Sequence, residues 1–60
     1  MKSLQRLYDE LTRIVMSNPG AKTRMDALMY EMFRKRRIDL LSTDQVERLL
    51  AKMKHIFKVE

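Results

Sequence analysis

Sixty residues with no cysteine, one histidine and a formal charge of +5 are enough for one small domain, and a chain this short buries a smaller share of its surface than a larger one. Without cysteine there is neither a disulfide framework nor a thiolate zinc site, and His55 makes no metal cage alone. Cores of this size rarely supply more than about 3–5 kcal/mol, so very regular helix packing or association with a second copy is what remains.

Taken in chain order, the first apolar series is Leu4, Leu7, Tyr8, Leu11, Ile14 and Val15, the i, i+3, i+4, i+7 spacing of one helix face. Ser3 stands where an N-cap belongs, which predicts a helix over 4–17. Ser17-Asn18-Pro19-Gly20 holds the chain's only Pro and only Gly, and both punctuate this one turn.

Thr23 followed by Asp26 partly reproduces a capping box and predicts a second helix over 23–37. Met25, Leu28, Met29, Met32 and Phe33 form its stripe, which Ile38-Asp39-Leu40-Leu41 fits poorly. Ser42-Thr43-Asp44-Gln45 is a full Ser-x-x-Gln box, with Leu41 placed to staple onto Val46. A third helix is therefore predicted over 43–58, with Val46, Leu49, Leu50, Met53, Ile56 and Phe57 inward.

Three stripes of similar width on residues 1–60 predict an all-α fold in a single domain. Its form is a small three-helix bundle with antiparallel neighbours, or a helical hairpin plus a short third helix. Dimerisation is expected to complete it, because Ile38, Leu40 and Leu41 are left over after the stripes are assigned.

The longest apolar runs, Ile14-Val15-Met16 and Ala27-Leu28-Met29 extended by Tyr30, are too short to span a membrane. The segment Met1-Lys2-Ser3-Leu4-Gln5-Arg6 has no apolar stretch of the kind a signal peptide needs. A cytoplasmic protein, complete as a small reading frame and not membrane-bound, is the expectation.

Catalysis is not expected, since each common chemistry lacks its constellation. There is no cysteine nucleophile, no glycine-rich phosphate loop and no second histidine, and the three serines read as caps and a turn residue. No cofactor and no metal are expected.

The charge is uneven: residues 1–33 carry five basic and four acidic side chains, and residues 34–60 carry eight and four. A polyanionic partner would therefore meet the C-terminal half. Arg34-Lys35-Arg36-Arg37 dominates it, but on a helix four consecutive side chains point in four directions, with Arg36 on the apolar stripe, i+4 from Met32. The run becomes one patch only if the helix unwinds at about residue 35. Tyr30 lies outside the main stripe of helix 2, beside Arg34 and Arg37, with which it can form a small exposed aromatic-basic patch. Arg48, Lys52 and His55 make a basic stripe on helix 3, with Lys54 and Lys58 on a neighbouring line, diluted by Asp44 and Glu47. A helix-turn-helix reading of helices 2 and 3 lacks the turn glycine, and Asp44 would repel phosphate.

The resulting expectation is a small basic accessory or regulatory protein that associates with nucleic acid through Arg34, Lys35, Arg37, Arg48, Lys52 and Lys54. The alternative is a protein-binding adaptor or inhibitor docking a methionine-rich face of Met25, Met29 and Met32, together with Ile38, Leu40 and Leu41. A homodimer is compatible with both.

Overall fold

The computed structural model describes residues 3–59. The Ser3 hydroxyl accepts the Arg6 amide at 3.3 Å and opens α1, Leu4–Ser17. Asn18 closes it twice over, donating both its side-chain amide at 2.9 Å and its backbone amide at 3.1 Å to the Ile14 carbonyl. Orphan carbonyls at a helix end need such partners. Gly20 then adopts the left-handed region at φ +79°, which turns the chain directly into α2, Ala21–Phe33.

Both ends of α2 differ from the expected 23–37. The helix starts two residues early on Gly20, and Thr23 does not cap it, because Ala21 is fully buried and packing sets the start. At the other end Arg34 takes φ +57° and its amide closes onto the Tyr30 carbonyl at 2.9 Å. A continued helix would bring Arg36 and Asp39 onto the core face and turn Ile38 and Leu41 to solvent. Leaving the helix reverses that outcome: Leu41 is buried and Ile38 packs against the core, while Arg36 and Asp39 are exposed. A single 3-10 turn, Ile38–Leu40, makes the bend.

Helix α3, Thr43–Phe57, begins on the full reciprocal box. The Gln45 amide donates to the Ser42 hydroxyl at 3.3 Å, and the Ser42 amide donates to the Gln45 side-chain oxygen at 3.0 Å. Leu41 and Val46, the two staple positions, are both buried in the same cluster. The helix ends on Lys58 at φ +53°, with the Val59 amide reaching back to the Lys54 carbonyl at 2.9 Å, the long bond of a Schellman motif.

These three helices pack on one another in a slab of 25 × 25 × 16 Å, with no strand among the described residues. The closest association is between α1 and α3. Leu7 shares a cleft with Glu47 and Leu50, Glu10 pairs with Lys54, and Ile14 and Asn18 lie beside Val59. Residue numbers rise together along both helices, so the two run in the same direction. Their common core takes Leu7, Leu11 and Ile14 from α1, Met25, Leu28 and Met29 from α2, and Val46, Leu49, Leu50 and Met53 from α3. No polar or charged residue among those described is buried.

Candidate nucleic-acid interface

Because α2 stops at Phe33, Arg34-Lys35-Arg36-Arg37 is a surface loop and not the end of a helix. All four side chains are exposed, and they are held differently. Arg34 and Arg36 both place their guanidinium carbons over the Tyr30 ring, at 5.4 and 5.2 Å from its centroid. Exposed cation–π contacts of this kind contribute about 0.5–1 kcal/mol each. Arg37 forms a fork with Asp39, its Nε donating to Oδ1 at 3.1 Å and its Nη2 to Oδ2 at 2.9 Å. Lys35 has no partner among the described residues.

The loop folds back along α2. Arg36 lines one shallow depression with Asp26, Ala27 and Tyr30, and Arg37, Ile38 and Asp39 line another with Lys22 and Met25. The nearby Asp26 carboxylate is already engaged by Lys22 at 3.6 Å. The aromatic-basic patch is therefore Tyr30 with Arg34 and Arg36. Arg37, expected beside Tyr30, turns to Asp39 instead.

Arg48 and Lys52 stand exposed on the outer face of α3, one turn apart, with His55 continuing that line. Lys54 does not join them. It lies on the α1 side of the helix, where its Nζ donates to Glu10 Oε1 at 3.2 Å with both side chains about two-thirds covered. Of the six expected nucleic-acid contacts, Arg34, Lys35, Arg48 and Lys52 present their charge outward, while Arg37 and Lys54 are tied to carboxylates.

The methionine face is corrected more sharply. Met25 and Met29 are core residues and Met32 is half-buried against them, so this chain's own helices cover the surface expected to dock a partner. Leu41 is likewise internal, leaving half-buried Ile38 and exposed Leu40. Conversely Phe33, Ile56 and Phe57 sit at the core margin and Leu4 is exposed, while Met25, Met29 and Met53 share the interior with the leucines. Unbranched thioethers fill irregular gaps between crossing helices well.

Arg36 is the site residue that helical periodicity hides, since it stands on the apolar line of α2 extrapolated past its end. The signal that finds it is the phase of Ile38 and Leu41, which no continuation of that helix can bury. No group of acidic and histidine side chains that could hold a metal occurs among the described residues. No helix there is long and apolar enough to cross a membrane. Comparison with models of protein families, with curated proteins and with solved structures finds no match to this chain.

Proposed function

We propose that this chain is a small, non-enzymatic accessory protein that associates with nucleic acid through the basic side chains of its C-terminal half. The observation that carries the reading is the end of α2 at Phe33, which frees Arg34, Lys35 and Arg36 from a helical arrangement and leaves them together on one exposed loop. Clustered, exposed cations are what supply phosphate contacts. Arg48 and Lys52 add charge on the outer face of α3. The cleft between α1 and α3 is open and is lined by Ser17 with Glu10 and Lys54, but those two charges are engaged with each other at 3.2 Å.

Binding of a labelled oligonucleotide, followed by fluorescence anisotropy across a salt series, tests this directly. Affinity should fall steeply as salt rises, through release of condensed counterions. Reversal of Lys35, Arg48 and Lys52 to Glu should abolish binding, while reversal of Arg6 and Arg13 on α1 should cost little. Equal losses from both sets would reduce the reading to indiscriminate adhesion of a cationic protein.

A second reading, docking of a partner protein, is supported by an open apolar cleft of about 290 Å³ between α1 and α2. It is lined by Tyr8, Leu11, Val15, Met25 and Ile38 among others, so two of the expected interface residues border it. Association there would be nearly indifferent to salt, which separates the two readings in one experiment. Self-association is the remaining part of the proposal, and Leu40, 56% exposed on the 3-10 turn, is the side chain that supports it.

A further inference from the structure

Resting on the nucleic-acid reading above, we infer that the form bound is single-stranded, with one base stacked on the Tyr30 ring and Arg34, Lys35 and Arg36 on the flanking phosphates. Tyr30 lies on the side of α2 away from Met25 and Met29 and is 43% exposed, so no packing requirement explains an aromatic ring there. Its covering is two guanidinium groups from the loop that follows. A surface guanidinium–ring contact is weaker than base–aromatic stacking. An incoming base therefore displaces a guanidinium, and the displaced cation gains the adjacent phosphate. Ring and cations together then supply the stacking surface and the backbone contacts that single-strand sites combine.

Duplex binding asks for something this fold does not offer. Sequence in a duplex is read by a helix or ribbon seated in the major groove, and the helix-turn-helix that would present one joins its helices by a turn of three or four residues. Here residues 34–42 intervene between α2 and α3. The exposed first turns of α3 carry Asp44 and Glu47, which repel phosphate. A ring such as Tyr30 can meet a base face only where the base is already unstacked.

The test uses the full chain and two labelled probes, an oligothymidylate of about twelve nucleotides and a duplex of the same length, at about 50 mM salt. The single strand should bind about tenfold more tightly than the duplex. Tyr30→Leu should weaken single-strand binding by about tenfold and leave duplex binding unchanged, while Tyr30→Phe retains the affinity of the parent. Circular dichroism confirms that both exposed-site variants keep their helices. As a second readout, Tyr8→Phe leaves Tyr30 as the sole tyrosine in a chain without tryptophan, and its emission should be quenched by oligothymidylate. Equal affinity for both probes, with no effect of Tyr30→Leu and a loss for both with Lys35→Glu, overturns the stacking inference and leaves the nucleic-acid reading standing. Failure of the unaltered chain to bind either probe overturns both.

Discussion

Lys54 of α3 reaches Glu10 of α1 with 3.2 Å between Nζ and Oε1, joining the two helices that pack most closely in the fold. This contact removes Lys54 from the surface cations available to a polyanion. Lys54→Met, which keeps the aliphatic stem, should therefore leave oligonucleotide affinity unchanged where Lys35→Met lowers it. Its cost should appear in stability instead, as a few tenths to about 1 kcal/mol, the range for a partly exposed pair. Anisotropy and urea melts of the two variants separate these roles.

The methionines give an equally direct contrast. Met29 is buried among all three helices' core residues, whereas Met16 is 81% exposed at the end of α1. Met29→Ala should cost about 2–5 kcal/mol, through lost transfer energy and the cavity left behind. That is enough to unfold much of a domain this small. Met16→Ala should fall within about 0.5 kcal/mol of the parent. Similar melts for both variants would return the α2 methionines to the surface.

The capping box at α3 predicts a loss of about 1 kcal/mol for Ser42→Ala, because the Gln45 amide loses its acceptor. Superimposable thermal melts would mean that the helix does not depend on that start.

Gly20 makes a different prediction at the α1–α2 turn. A Cβ there meets nothing within 4 Å, so the only penalty for Gly20→Ala is the left-handed backbone. We expect a loss of about 1 kcal/mol, and a smaller one for Gly20→Asn, which tolerates that region better. Equal melts for the glycine and alanine proteins would show that the turn is free to rearrange.

Self-association is expected to depend on Leu40, since Leu41 is already internal and Ile38 half covered. Sedimentation equilibrium at micromolar concentration should give a dimer mass that Leu40→Asp lowers to the monomer. A monomer in the unaltered chain, melting at a temperature independent of concentration, would show that the core is sufficient by itself.

Much of this fold can be read from local chemistry. The starts of α1 and α3 and the turn between α1 and α2 follow from Ser3, Ser42 with Gln45, and Asn18-Pro19-Gly20, because a cap or a left-handed residue acts within a few positions of itself. The inward lines of α1 and α3 follow from spacing alone. The end of α2 does not, because nothing local marks it: Arg34 is a poor choice for positive φ, and the Met25-to-Phe33 stripe extrapolates smoothly to Arg36. What ends the helix is the burial of Ile38 and Leu41 against side chains contributed by the other helices, a gain that exists only once those helices are assembled. The same assembly decides that the α2 methionines are core, that Lys54 faces Glu10, and that two arginines of a four-residue basic run meet on one tyrosine. Periodicity assigns a side chain to a face of its own helix; which neighbour covers that face is a property of the packed molecule.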